Sequence, residues 1–405
     1  MKTYEYIKDG KKRTAKLFGL PLMEIDTDYQ KNEKYQKFLG GIVCSIKKYK
    51  RNCSVTKDIK LFGISIIKCI EENSLKKYYI YGIKIWTKSA LEDFKKKYLK
   101  FFDEQYDDIY ILKANSGETC LLLTYFINSL IKKNNSKNPL LVATQDYHID
   151  IIKMLCPDIS YIQINGLHVN IPQNSFKING FRFFVFFNQS YFIDIEEEIN
   201  RHELGKVHYF GFMLDYLNMN LTELAINKMS VLQEASESMF KKVQKIGLNL
   251  DHFVFLAPEA RSCQLYNDAF WVKLINKLYE CGYDVFINLA DNKIDLNLNG
   301  AHNYKTCNLS MAEAFSLARK SEKIITLRSG FSECLLRTRV PIFVLYTEFV
   351  PRLLFKDIDS RHVMAGFSLK LLPYVDTGLI REFDTSVLSQ NDLLASVLAM
   401  GNKEL

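Results

Sequence analysis

The residues able to do chemistry sit in a few short turns, each following an apolar run. Asn115-Ser116-Gly117-Glu118 follows Asp108 to Ala114 (DIYILKA) and opens a helical stretch from Thr119 to Lys133. A carboxylate at Glu118 is suited to take a proton from a hydroxyl nucleophile. It is equally at home in the first turn of a helix, whose free N–H groups favour negative charge. Arg328-Ser329-Gly330 follows Lys323 to Leu327 (KIITL), with Ser332 and Glu333 one turn on. A small residue and a glycine let a helix N-terminus come close to a diphosphate. The Ser329 hydroxyl and Arg328 guanidinium would add charge-assisted donors. The plainer alternative is an ordinary strand-to-helix turn with Arg328 in an interdomain salt bridge and Glu333 as a helix-dipole partner.

These turns need strands and helices to hold them. Further strands are predicted at Pro139 to Thr144, Ile159 to Ile164 and Phe181 to Phe187, with helical segments around Ile195 to Arg201 and Val207 to Leu217. A second series runs through strand His252 to Leu256, helix Asp268 to Cys281, and strands Asp284 to Asn288 and Tyr304 to Asn308. It continues through a helix opened by Ser310 and Glu313 at capping-box spacing, strand Lys323 to Leu327, strand Pro341 to Tyr346, and a last helix near Ser389. Strand–turn–helix–strand order repeated in this way predicts doubly wound α/β domains.

In such open sheets ligands bind outside the carboxyl ends of the strands. That rule selects Glu259, Arg261 and Ser262 in the loop after the first C-terminal strand, Asp291 in Leu289 to Asn292, and Thr347-Glu348. In the N-terminal half it selects Asn115, Asn188, and the Gln145 to His148 turn. Asp146 and His148 there are candidates for acceptor contact or an alternative base, while His168, His202 and His208 read as structural or surface residues.

A chain of 405 residues calls for more than one core. Nine cysteines without a CxxC pair read as buried thiols of a reducing compartment. The start, MKTYEYIKDGKKRTAK, has no signal-peptide core, and no apolar run reaches the length of a membrane span. A cytoplasmic protein is the expectation. The net charge of +8 is uneven. Residues 1–100 carry about 24 Lys and Arg against about 11 Asp and Glu, which leaves the remainder acidic by about 5. That basic segment repeats one pattern, with Gly19, Gly41, Gly63 and Gly82 each flanked by apolar residues and bracketed by lysines. The alternation predicts short bent strands or hairpins. Either they form a small β-rich extension packed on the body, or residues 1–88 present a basic, aromatic patch to the inner face of the plasma membrane; the two are compatible.

The block from Phe255 to Tyr346 resembles the C-terminal half of glycosyltransferase family 9, the lipopolysaccharide heptosyltransferases, and related capsule and lipopolysaccharide enzymes. The resemblance is carried by FLAPEARS, FWVKLINKLYECGYDVFINL and NLSMAEAFSLARKSEKIITLRSGFSECLLRTRVPIFVLYT. Ser329 and Gly330 match the family's diphosphate-cradling run, while Arg328 and Glu333 replace its acidic residue and its His. ILKANSGETCLLL is similar to the strand–loop–helix in which a Gly-Asp pair supplies the base, here Gly117-Glu118. The resemblance implies an α/β fold of the GT-B type: two Rossmann-like domains, residues 101–245 on the acceptor side and 246–405 on the donor side, behind a basic extension at 1–100. It implies a nucleotide-sugar donor, a glycan or lipid-linked glycan acceptor, and direct displacement with inversion. A nucleotide-sugar is a substrate of such an enzyme, and neither a metal nor another cofactor is expected.

Other classes fit less well. Asp357-Ile358-Asp359 and Asp26-Thr27-Asp28 have the spacing of a metal-binding DxD but lie in a polar segment and in the repeats. No GxGxxG follows a strand, which argues against a dehydrogenase. A non-catalytic glycan- or nucleic-acid-binding protein is the rival from another class, although no nucleic-acid module is recognisable and none is expected as a partner. A GT-B-type sugar-nucleotide epimerase is the enzymatic runner-up.

Overall fold

The computed structural model describes residues 4–9, 12–17, 20–28, 33–38, 43–50, 54–61, 64–72, 75–81, 83–167, 175–186, 208–260, 263–289, 297–349 and 359–399. Nine strands come first: β1 (Tyr4–Asp9), β2 (Lys12–Leu17), β3 (Leu20–Asp28), β4 (Glu33–Phe38), β5 (Val43–Lys50), β6 (Ser54–Leu61), β7 (Ile64–Glu72), β8 (Leu75–Ile80) and β9 (Ile83–Ser89). They form one antiparallel meander in chain order. The recurring glycines fall between the strands of alternate hairpins, β2–β3, β4–β5, β6–β7 and β8–β9. Register shifts stand at Ala15/Lys16, Ile59/Lys60 and Tyr78/Tyr79, at one offset before Gly19, Gly63 and Gly82. Three of the four repeats are therefore bulged hairpins, whose extra residue adds twist, while β4–β5 pairs without a register shift. Tyr81, at φ 49°, starts the two-residue connection to β9, as primed hairpin turns require. Among the described residues no buried apolar cluster includes this sheet, so cross-strand pairs hold a single layer together.

Helix α1 (Ala90–Tyr98), capped by Ser89, leads into the body and buries Phe94 edge-on against Phe176 and Phe183. The first body sheet has the order β12 (Ser160–Gln163), β11 (Pro139–Ala143), β10 (Asp108–Leu112), β14 (Phe181–Phe186), β13 (Ser175–Ile178). All its pairings are parallel except the β13–β14 hairpin. Sequence reasoning passed over β13, although Asn179-Gly180, with φ 49° and 90°, is a strong hairpin signal. Helix α2 (Ser116–Leu121) starts one turn earlier than expected and runs through a π-helical turn, Leu122–Phe126, into α3 (Ile127–Lys133). Helix α4 is Asp146–Leu155 and α5 is Tyr209–Leu217, the latter shorter than expected by its first two residues. The segment expected to be helical at 195–201 lies outside the described residues. Helix α6 (Gln233–Lys245), which buries Ala235, Met239 and Val243, had no counterpart in the sequence reading.

The second body sheet is wholly parallel, with the order β17 (Tyr304–Lys305), β16 (Asp284–Ile287), β15 (Phe253–Ala257), β18 (Lys323–Leu327), β19 (Ile342–Tyr346), β20 (Ile380–Asp384). This is the Rossmann order, with the earliest strand inside the sheet. Its helices are α7 (Asp268–Glu280), α8 (Met311–Ala318), α9 (Gly330–Leu335), α10 (Ser360–Phe367) and α11 (Gln390–Leu398). The capping box at Ser310 and Glu313 forms as expected, with both reciprocal bonds, and Ser389 caps α11. Strand β20 and helix α10 went unread.

The two sheets share one core. A single buried cluster runs from Tyr110, Leu112 and Leu122 to Phe255, Phe315, Leu335 and Tyr346. Separate clusters cover the outer face of each sheet. The lobes therefore meet across an apolar seam.

Candidate active site

The turn after β10 and the turn after β18 meet at this seam. A Cβ added to Gly117 would lie 2.7 Å from the Gly330 Cα, and one added to Gly330 would lie 2.7 Å from the Gly117 nitrogen and 2.8 Å from Ser116 Oγ. The starts of α2 and α9 are thus in backbone contact, at a distance only two glycines permit. Two helix N-termini brought together this way concentrate positive potential. Glu118 and Glu333, each in the first turn of its helix, supply the compensating charge.

Arg328 and Glu333 are both buried and form an ion pair, with Nη1 also 3.1 Å from Glu333 Oε2. Arg328 further donates from Nε to the Phe367 carbonyl at 3.0 Å, and from Nη1 to the Ser329 carbonyl at 2.6 Å and to Ser332 Oγ at 3.2 Å. Burial opposes the guanidinium charge, yet the Glu333 carboxylate outweighs it and holds the Arg328 pKa above its ordinary value. The pairing is within one lobe, which corrects the interdomain alternative. Ser332 Oγ, wholly buried, donates to the Ser329 carbonyl at 2.5 Å and accepts from the Ser329 N–H at 3.3 Å. Ser332 and Glu333 therefore face inward and build the turn rather than contacting a ligand, while Ser329 and Gly330 remain half-exposed at its mouth.

Glu118 is half-buried at the same place. Burial raises its pKa to about 7; the nearby Glu333 charge adds to the rise, and the Asn115 side chain and Arg328 oppose it. A carboxyl tuned there can accept or return a proton near neutrality.

His148 is different. Its ring is fully buried, with Nδ1 accepting from the Thr144 N–H at 3.1 Å and Nε2 at 2.9 Å from the Ala114 carbonyl. Those partners fix the neutral tautomer with the proton on Nε2, and burial lowers its pKa to about 4. Both nitrogens are used in tying the ends of β10 and β11 together, so the expected acceptor contact or base at His148 is corrected to a structural tie. Asp146 is exposed and accepts from Gln163 Nε2 at 2.6 Å, and Asn115 is exposed beside Glu118. Glu259 is half-buried after β15. Arg261, Ser262, Asp291 and Asn188 lie outside the described residues, as do His168 and His202. His208 caps α5 and reaches the Ser368 carbonyl at 2.9 Å, as a structural residue would. Asp359, the described half of one DxD candidate with Asp357, caps α10, and Asp26 and Asp28 lie in β3.

Sequence reasoning missed the support behind Arg328. Tyr346 Oη donates to Glu382 Oε1 at 2.5 Å, and Glu382 also takes the Ser368 hydroxyl and the Leu369 N–H. This cluster pins the end of α10, which presents the Phe367 carbonyl and ring to Arg328. Nothing in the spacing of these residues announces it. A second part of the seam holds a cavity of about 530 Å³ beside Asp150 and Glu313. There Asp150 Oδ2 of α4 caps α8 across the lobes, at 3.0 Å from the Ala312 N–H.

No family model and no curated protein matches the chain. Solved structures do resemble it. One is the ADP-heptose lipopolysaccharide heptosyltransferase II of E. coli, at 11% identity and a TM-score of 0.46, covering 72% of this chain and 98% of that one. Another is a family 9 glycosyl transferase from Veillonella parvula, at 12% and 0.41, covering 59% and 80%. A third is the iron-containing dodecameric glycosyltransferase TibC from enterotoxigenic E. coli, at 14% and 0.41, covering 82% and 81%. These are likenesses of fold. The description of TibC as iron-containing, repeated for its complex with an ADP-heptose, overturns the expectation that no metal takes part. Among the described residues no group of three or more His, Cys, Asp or Glu side chains is placed to hold a metal ion, and no chemical step is assigned to one.

Proposed function

We propose that the chain is a glycosyltransferase that moves a sugar from a nucleotide-sugar donor to a hydroxyl of a lipopolysaccharide, capsule or related glycan acceptor. The observation that carries this reading is Glu118, with its pKa near 7, at the point where two helix N-termini converge on Gly117 and Gly330. In this reading the donor diphosphate lies against the start of α9, at Ser329 and Gly330, with Arg328 holding the turn and adding positive charge from behind. Glu259, Arg261, Ser262 and Asp291 would serve the donor, and Asn115, Asp146 and Asn188 the acceptor. The Glu118 carboxylate takes the proton of the acceptor hydroxyl as its oxygen bonds to the anomeric carbon. The bond from that carbon to the phosphate oxygen breaks, and the nucleoside diphosphate leaves with the electron pair. One displacement of this kind inverts the anomeric centre.

Incubation with a panel of nucleotide-sugars tests the assignment. Free nucleoside diphosphate released only when a glycan acceptor is present supports transfer. An isomerised donor without acceptor would instead mark an epimerase, which needs the same diphosphate site and the same proton-exchanging carboxyl.

A further inference from the structure

The register of the N-terminal sheet sets Ile59 opposite Ile67, Ile67 opposite Ile80, and Leu61 opposite Ile64. Directly opposed residues share a face. The aliphatic side chains on it are exposed, Leu61 by 37%, Ile64 by 65%, Ile67 by 41% and Ile80 by 39%, with Tyr81 at 65% on the adjoining turn. A contiguous apolar group held in water marks an interaction surface.

The next row on the same face is basic. Lys57 lies two residues from Ile59 in β6, and so on its side of the sheet. Lys57 is exposed, and the register places Lys47 opposite Lys57 and Lys34 opposite Lys47. Like charges in directly opposed register destabilise a sheet. The segment as a whole carries the large basic excess of the chain, which an anionic partner would balance.

We propose that this face docks on an anionic lipid bilayer, the aliphatic row entering the interface while Lys57 meets the headgroups. The inference rests on the sheet alone and not on the transferase reading. A bilayer fits better than an acidic protein because this face joins exposed aliphatic side chains of β6, β7 and β8 to an exposed lysine, and an anionic bilayer offers an apolar and an acidic layer together. A tyrosine at the tip suits the boundary between headgroup and acyl chain.

The test is flotation of the full chain with vesicles of phosphatidylcholine, with and without phosphatidylglycerol. The chain should float with the anionic vesicles only. Raising the salt should reduce the bound fraction, and Ile67→Glu with Ile80→Glu should lower it at least ~10-fold. Should that double variant fail to fold, as judged by circular dichroism, Lys57→Glu and Tyr81→Ser at exposed positions are expected to weaken flotation in the same direction. Absence of flotation, equal flotation with neutral vesicles, or binding unchanged by the folded variants would overturn the proposal. So would complete competition by soluble polyglutamate, which would point to an acidic protein. Failure of glycosyl transfer would leave all of these outcomes as they stand.

Discussion

At the scale of single residues, the raised pKa of Glu118 and the lowered pKa of His148 make opposite demands on pH. Glu118 in the folded chain keeps its proton up to about 7, whereas its unfolded value is 4.5. The folded state binds that proton more tightly, so this contribution to stability is complete at low pH and is lost as pH rises from 4.5 to about 7. His148 falls from 6.5 to about 4, so its contribution is present above 6.5 and is lost as pH falls towards 4. The two slopes oppose each other across the shared range. Melting temperatures of wild type and Glu118→Gln across pH 4 to 8 should differ by a curve that declines with pH for the wild type alone. If Glu118 is the base, Glu118→Gln should also cost at least ~100-fold in turnover with donor affinity kept, and the wild-type rate should fall below about pH 7. A near-normal rate in that variant would place the base elsewhere.

At the scale of elements, the seam depends on pairs that no single helix supplies. Gly330→Ala would drive a Cβ into the backbone of Gly117, which cannot swing aside. The expected loss is about 1–3 kcal/mol by urea denaturation, the usual cost of overpacking. Removing one side of the buried Arg328–Glu333 pair should cost more, about 3–5 kcal/mol, because the partner charge stays buried. Arg328→Met together with Glu333→Leu should recover much of that loss. If the α9 turn holds a diphosphate, the recovered protein should still bind nucleoside diphosphate at least ~1.5 kcal/mol more weakly in calorimetry; unchanged affinity would retire Arg328 from the donor site. Asp150→Ala uncaps α8 from across the seam and should cost ~1 kcal/mol.

At the scale of the whole molecule, the shared core predicts a single unfolding transition for the two lobes, which calorimetry checks. A nucleotide-sugar bound between them should stabilise the entire body by ~2.7 kcal/mol at a hundredfold excess over Kd, and so raise its melting temperature. A screen of UDP, GDP, ADP and CMP sugars reads this directly, and a flat response to all four families would sink the donor reading.

Much of this could be read from residue order because it depends on local physics. Buried β-strands such as KIITL, the Ser310–Glu313 and Ser389 caps, and the glycine-paced hairpins all follow from spacing within one or two turns of chain. The two strand-end turns that converge were legible too, since a glycine with a carboxylate within the next turn after an apolar strand is a local pattern. Their meeting was not. Gly117 and Gly330 touch only because two sheets bury one common core between them, and the same burial turns His148, Ser332 and Glu333 inward. Glu333, which raises Glu118, and Phe367, whose carbonyl holds Arg328, come from distant stretches of chain, as does Glu382, which pins the segment after Phe367. Desolvation and charge coupling depend on distance through space, and only the folded chain sets those distances.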